Sequence, residues 1–350
     1  MKYITIKDIA RHLSISVSTV SRALGDDKNI RKETKEKVIE AAKRLGYRPN
    51  PVAINLKYGH TNTVGVIVPE MVTPFASRVI NGIQEVLHTK NIKVIIAESG
   101  GDPEKEKENL QLMEGFMVDG IIICLCSYKR NKEEYTRLQQ AGMPMVFYDR
   151  IPYGLEVPQV IVDDYMKSFF LVESLIRSGR KQIVHIQGPD DIYNSIERVR
   201  GYKDALAKFG IPFDKNNMLI KTGMTFEEGK KAADILVERN IPFNAIFAFT
   251  ETLAIGAMNR LRELGKKIPE EIAVASFSGT ELSNIVYPKL TTVEPPLYQM
   301  GKKSCRTYFR ENQRSGISQS FNRVGCGNQN ACIDATFGGI LMTYLSDIIS

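Results

Sequence analysis

Residues 13–24 read LSISVSTVSRAL, with five small hydroxyl side chains in twelve positions. Ser and Thr compete with a helix backbone for hydrogen bonds, so a helix that carries so many has another use for its surface. Upstream, Ile6, Ile9, Ala10 and Leu13 fall at the i, i+3, i+4, i+7 spacing of an amphipathic helix, with Thr5 as its cap and Asp8 three residues on. A break at Ser14 and Ile15 precedes Ser16, which caps a second helix with Val20, Ala23 and Leu24 facing inward. A third helix is predicted to run to about Leu45 through Val38, Ile39, Ala41 and Ala42, and Gly46 ends it. Three short helices with a tight first turn make a helix-turn-helix unit.

The hydroxyls then find a purpose. Val17, Ser18, Ser21 and Arg22 share the face opposite the apolar one. Small hydroxyls let a helix come close to a DNA groove and bond phosphates or base edges, while an arginine reaches further. Charge supports this reading. Residues 1–60 hold 13 Lys and Arg against 6 Asp and Glu, so they carry the chain's whole net charge of +7. The other 290 residues are balanced, with 34 charges of each sign. Positive charge gathered on one small unit is what binding to a phosphate backbone needs.

The next stretch, RPNPVAINLKYGHTN, offers Asn50 as an N-cap and Pro51 at the first helical position. Ala53, Leu56 and Lys57 follow on one or two turns ending at Gly59, a segment too short to be stable alone. From Thr63 the pattern changes to apolar runs alternating with helical stretches. TVGVIVP, KVIIAES, GIIICL and PMVFYD alternate with helices near 75–90, 103–118 and 131–141. QVIVDD, QIVHIQGP, LIKTG, AIFAFT and IAVASFSG follow, with helices near 165–178, 195–209, 226–239 and 252–264. Such alternation predicts parallel sheets with helices on both faces, here in two lobes, with a ligand crevice beyond the carboxyl ends of the strands.

Composition excludes several classes. The chain is 43% apolar and 25% charged, as ordinary globular proteins are, and no run reaches the ~20 apolar residues of a membrane span. MKYITIKDIARHL has no apolar h-region or small-residue cleavage site, so no secretory signal, no membrane partner and a cytoplasmic, reducing location are expected. The five cysteines lack framework spacing, and Cys124 and Cys126 read as small buried hydrophobes. No G-x-G-x-x-G follows a strand, and no G-x-x-x-x-G-K-[ST] occurs. His12, His60, His88 and His185 are scattered, without metal spacing or a nucleophile elbow. No catalytic residue, metal or cofactor is assigned, and an enzyme is not expected.

TIKDIARHLSISVSTVSRAL together with GYRPNPVAINLKYGHTNTVGVIVP resembles the lactose-repressor/galactose-repressor (LacI/GalR) family of transcriptional regulators. The resemblance continues in order through DGIIIC, VFYDR, IVDD, HIQGP, RVRGYKDAL, AIFAFTETLAIGAM, GKKIPEEIAVASF and PKLTTVEPP, over about residues 4–303. It implies an all-α DNA-binding headpiece at 1–48, a hinge helix at 49–60 and an α/β, two-lobed core of periplasmic-binding-protein type at 61–303. Lobe one would take about 61–160 plus 292–303, and lobe two about 161–291. The implied partners are a second copy of the chain, a pseudo-palindromic operator in double-stranded DNA and a small effector, a sugar or metabolite. The implied activity is repression under effector control.

Carried over by position, DNA contacts fall to Thr5, Ser16, Val17, Ser18, Ser21 and Arg22 in the headpiece and to Asn50, Ala53, Leu56 and Lys57 in the hinge. Leu56 matches the residue that relatives wedge between base pairs in the minor groove. The effector residues are Phe75, Asp149, Arg198, Thr250 and Ser278. Read alone, Asp149 could cap or turn the chain after its strand, and Arg198 could pair with Glu197. Ser278 stands where relatives frequently carry Asp or Asn and Glu251 where Asp is common, which leaves the ligand's class open. Residues 304–350 depart from the family pattern, with three of the five cysteines and clustered Asn, Gln, Ser and Gly. The helical periodicity begun at Leu297 fades there, which predicts loop or disorder, from a change of reading frame near Ser304 or from a naturally divergent tail.

Overall fold

A computed structural model describes residues 4–47 and 60–314, and the chain divides into two compact units with the break at Thr61. Asn50, Ala53, Leu56 and Lys57 lie outside the described residues, as do residues 315–350.

The first unit holds α1 (Ile6–Leu13), α2 (Val17–Leu24) and α3 (Lys32–Leu45). The backbone N–H and the hydroxyl of Thr5 both donate to the Asp8 carboxylate, at 2.9 and 2.7 Å. Ser14 turns the chain with a left-handed φ of 54°, and Ser16 Oγ accepts the Thr19 N–H at 3.0 Å to start α2. Ile9, Val20 and Val38 pack with Ala10, Ala23, Ala41 and Ala42, whose small side chains let three short helices close on one another. Ile39 is 44% exposed. The seam of α3 runs through Val38, Ala41, Ala42 and Leu45, and Ile39 sits about 100° around the helix from Val38.

The second unit begins with β1 (Thr63–Val68), α4 (Pro74–His88), β2 (Lys93–Glu98), α5 (Pro103–Gly115), β3 (Ile121–Ile123), α6 (Lys132–Gln140), β4 (Met145–Tyr148) and β5 (Gln159–Val160). These strands form a five-stranded parallel sheet in the order β2-β1-β3-β4-β5. The chain then builds α7 (Asp164–Arg177), β6 (Ile183–Gln187), α8 (Tyr193–Lys208), α9 (Lys215–Met218) and β7 (Leu219–Lys221). It continues through α10 (Phe226–Glu238), β8 (Ala245–Ala248), α11 (Glu251–Glu263), β9 (Ala273–Phe277), α12 (Leu282–Ile285) and β10 (Thr291–Val293). The second sheet, also parallel, runs β7-β6-β8-β9-β10, which is the first sheet's order repeated.

Both sheets are buried on both faces, which explains why their strands read as continuous apolar runs. In β1, Val64, Val66 and Val68 pack under α4, while Ile67 packs with Leu110 and Met113 of α5. In β6, Val184 and Ile186 face α10 and α11, and Ile183 faces α7 and α8. Each sheet reverses direction at its first strand, so each leaves a crevice beyond its carboxyl edge.

The division between the lobes differs from the sequence reading in two places. Residues 292 and 293, assigned to lobe one, pair with Ser276 and Phe277 of β9, so β10 closes the sheet of lobe two. The return to lobe one is made by α13 (Leu297–Arg314), which passes Ser304 without a break. Met300, Cys305 and Tyr308 of α13 are buried in lobe one, Ser304 Oγ donates to the Met300 carbonyl at 2.9 Å, and Tyr308 donates to the Asp119 carbonyl at 3.0 Å. The buried face of α13 includes Ser304 and Asn312, so a count of apolar residues misses it. Glycine sets the approach: a Cβ on Gly301 would stand 2.1 Å from the Val79 carbonyl oxygen of α4.

Candidate nucleic-acid interface and ligand crevice

In the three-helix unit, Ser16, Val17, Ser18 and Arg22 are exposed on α2 and Ser21 is half-buried, while Val20 and Ala23 on the other side are buried. Ser16 Oγ lies 2.7 Å from Ser18 Oγ and 2.8 Å from Thr19 Oγ1, so the hydroxyls form a local cluster at the start of the helix. Thr5 is also exposed. Arg11, Lys28, Arg31 and Lys32 add exposed positive charge to the same unit. This surface offers short hydroxyls backed by cations, which suits a groove lined with phosphates.

Four of the five residues predicted for the crevice fall just beyond the carboxyl ends of strands. Phe75 opens α4 after β1, half-buried against the cluster that holds Val64 and Val66. Thr250 caps α11 after β8, its hydroxyl accepting the Leu253 N–H at 3.3 Å. Asp149 and Ser278 directly follow β4 and β9, the fourth strand of each sheet, with left-handed φ of 58° and 63°. A non-glycine residue in that region costs energy and persists where its surroundings fix it. The two lobes share this device.

Arg198 reaches the crevice from α8. Its side chain is 3% exposed, and Nε donates to the Asp164 carboxylate at 2.7 Å. Nη1 donates to the Phe249 carbonyl at 2.6 Å, and the guanidinium lies 3.7 Å from the centre of the Phe277 ring and 4.4 Å from that of Phe249. Burial pushes the Asp164 carboxyl up to about 6, against the pull of Arg198. The alternative pairing with Glu197 is not formed, since Glu197 binds Arg200 at 2.6 Å.

Contacts across the crevice join the lobes. Asn194 of α8 donates to Asp149 at 3.1 Å, and the Tyr128 N–H donates to the Asp191 carbonyl at 2.8 Å. Arg150 Nη2 lies 3.6 Å from Met224 Sδ, and Arg78 pairs with Glu281 at the rim.

Three carboxylates that shape the site were not foreseen. Asp164 is one. Glu251 is buried at the start of α11 and accepts the N–H and hydroxyl of Thr280, at 2.8 and 2.5 Å, which fixes the loop after Ser278. Its departure from the family pattern was visible, but its role was not. Glu106 is fully buried and accepts from the Cys126 N–H at 2.6 Å, the Asn131 amide at 3.0 Å and the Tyr135 hydroxyl. It holds both ends of the loop that carries Tyr128. Within PEKEKENL it reads as one more solvated charge, so no local signal marks it. His185 is a packed strand residue, as expected: Nδ1 donates to the Phe247 carbonyl at 2.8 Å, and burial lowers its pKa to about 3. Among the described residues no helix is long and apolar enough to cross a membrane.

Residues 5–50 match the profile of bacterial regulatory proteins of the lacI family. Residues 61–320 match that of periplasmic binding proteins and the sugar-binding domain of the LacI family. Catabolite control protein A of Priestia megaterium is 32% identical over 91% of this chain and 95% of that protein. A structure of the transcriptional regulator CelR with cellobiose is 26% identical, with a TM-score of 0.67 over 90% of this chain and 94% of that one. The lac repressor dimer bound to operator and an anti-inducer shares the fold at a TM-score of 0.76, with 22% identity over 90% of this chain and 94% of that one. The hydroxyl-faced helix, the doubled parallel sheets and the profiles agree: the chain belongs to the LacI family of bacterial regulatory proteins, DNA-binding transcriptional regulators with a ligand-binding core.

Proposed function

We propose that this chain acts as a homodimeric repressor that binds a pseudo-palindromic operator and releases or tightens on it when a sugar or small metabolite enters the crevice between its lobes. Val17, Ser18, Ser21 and Arg22 of α2 meet the major groove, with Thr5 and Ser16 toward the backbone. Asn50, Ala53, Leu56 and Lys57 form the hinge, in which Leu56 opens a base step in the minor groove. One recognition helix reads only a few base pairs, and two-fold symmetry doubles that. Phe75, Asp149, Arg198, Thr250 and Ser278 hold the effector: an aromatic face, a carboxylate, a guanidinium and two short hydroxyls suit a ligand with several polar groups. CelR, whose structure is a complex with cellobiose, supports a sugar as the effector. The reading is of a binding protein without a catalytic step, working in the cytoplasm.

The observation that carries it is the way Asp149 and Arg198 sit in the crevice while its two walls already touch through Asn194 and Asp191. A ligand bound there would change how the lobes meet. Arg198→Ala should leave operator affinity within about threefold and remove the response to effector, checked by anisotropy titration of labelled operator. Loss of operator binding with an intact effector response would refute the assignment of Arg198.

A further inference from the structure

Each of the two crevice arginines stands beside a carboxylate. Asp149 stands 3.9 Å from Arg150, and Asp164 stands 2.7 Å from Arg198, with the second pair almost wholly buried. Arginine recognises a phosphate group by offering parallel N–H donors and a charge that nothing else compensates. The Nε edge of Arg198 is taken by Asp164, one Nη1 donor by the Phe249 carbonyl, and the plane of the guanidinium by the Phe277 and Phe249 rings.

Acceptors at the site, by contrast, are in surplus. Gln187 at the end of β6 and Asn194 at the start of α8 are buried, and among the described residues Gln187 Oε1 and Asn194 Oδ1 have no hydrogen-bond partner. Asn194 lies directly beside the Asp149 carboxylate. A buried acceptor left unpaired costs about 1–3 kcal/mol, and what supplies its donor gains that amount back. The dianion of a phosphate ester brings only acceptors and charge to such a place, whereas a hydroxyl brings a donor.

We infer that Asp164 determines ligand specificity in this crevice: by compensating Arg198 it makes the site select an uncharged ligand rich in hydroxyl or amide donors and reject a phosphorylated one. Asp164 acts through Arg198 and is a positioning residue. The inference rests on the reading of the crevice as the effector site and narrows the class of effector.

Inorganic phosphate is the probe, titrated calorimetrically into the full-length protein at about pH 8, above the pH at which Asp164 takes a proton, with ionic strength held constant by chloride. The natural chain should bind phosphate no tighter than about 1 mM. Asp164→Asn should bind it at least about tenfold more tightly, and adding Arg198→Gln should abolish that gain. A merely structural role for Asp164 would not create anion affinity. Should Asp164→Asn fail to fold, as judged by circular dichroism, Asp164→Ser makes the same comparison. Phosphate binding by the natural chain below about 1 mM that Arg198→Gln removes would overturn the inference, as would a folded Asp164 variant that gains less than about tenfold. These titrations need no DNA, so they stand or fall separately from control of the operator by the crevice, which the Arg198→Ala operator titration reads.

Discussion

The two units of this chain use charge in opposite ways. Among its described residues the headpiece encloses seven buried apolar side chains and leaves Arg11, Arg22, Lys28, Arg31 and Lys32 in water. The crevice of the core buries Arg198 against Asp164 and sets Arg150 beside Asp149. Exposed charge attracts a polyanion over about 10 Å and is screened by salt. A buried pair is costly to desolvate and barely screened, so it contributes selectivity more than attraction. The difference assigns DNA binding to one unit and discrimination among small ligands to the other.

The sharpest way to break this contrast is to separate the units. Removing residues 1–60 should lower DNA affinity by at least about 1,000-fold, while residues 61–350 keep a cooperative thermal transition. Tight, salt-sensitive DNA binding by the remaining core, seen by gel shift, would erase the contrast.

A smaller effect belongs to the core alone. Gly301→Val places a side chain where even a Cβ would meet the Val79 carbonyl oxygen at 2.1 Å. Overpacking of this kind costs about 1–3 kcal/mol, and the melting of the core should fall accordingly while non-specific DNA binding by the headpiece stays unchanged. An unchanged melting temperature would mean that α13 does not pack against α4 in solution.

The smallest effect is one of pH. His185 is held neutral in the folded core, with its pKa lowered to about 3, whereas the unfolded chain protonates it near the ordinary 6.5. Its contribution to stability is therefore complete above pH 6.5 and is lost as pH falls from there towards 3. The slope approaches about 1.4 kcal/mol per pH unit once the unfolded chain is fully protonated. His185→Gln, which keeps an amide donor for the Phe247 carbonyl, should flatten the acid side of the melting curve between pH 6 and 4. A slope equal to that of the natural chain would show that His185 is protonated in the fold.

Much of this contrast can be read before any coordinates. The helix-turn-helix spacing, the charge division at residue 60 and the alternation that builds the sheets are local patterns, and the elements match them to within a few residues. Less legible are features that depend on partners distant in sequence. Asp164 and Arg198 meet across two helices, and Glu106 is buried because Tyr135 and Asn131 come from another element. The extent of α13 was hidden for a chemical reason. Ser304, Cys305 and Tyr308 bury polar groups that bond to carbonyls, so the helix has a core face without apolar periodicity. Translating the nucleotide sequence in the other two frames separates a change of frame from a genuine divergent tail: a helix followed by an alternating strand rich in Ile, Val and Leu would show the former, and its absence from both frames the latter.

The central claim, that the basic, hydroxyl-faced headpiece reads a specific DNA site, is tested most directly by selecting bound sequences from a random duplex pool with the full-length chain and then titrating the winner against salt. The account predicts an enriched pseudo-palindrome whose two halves are centred about one helical turn apart. It also predicts a log–log slope of affinity against salt of about −5 or steeper, as six or more phosphate contacts from a dimer require. No enriched sequence, or an affinity indifferent to salt, would contradict it.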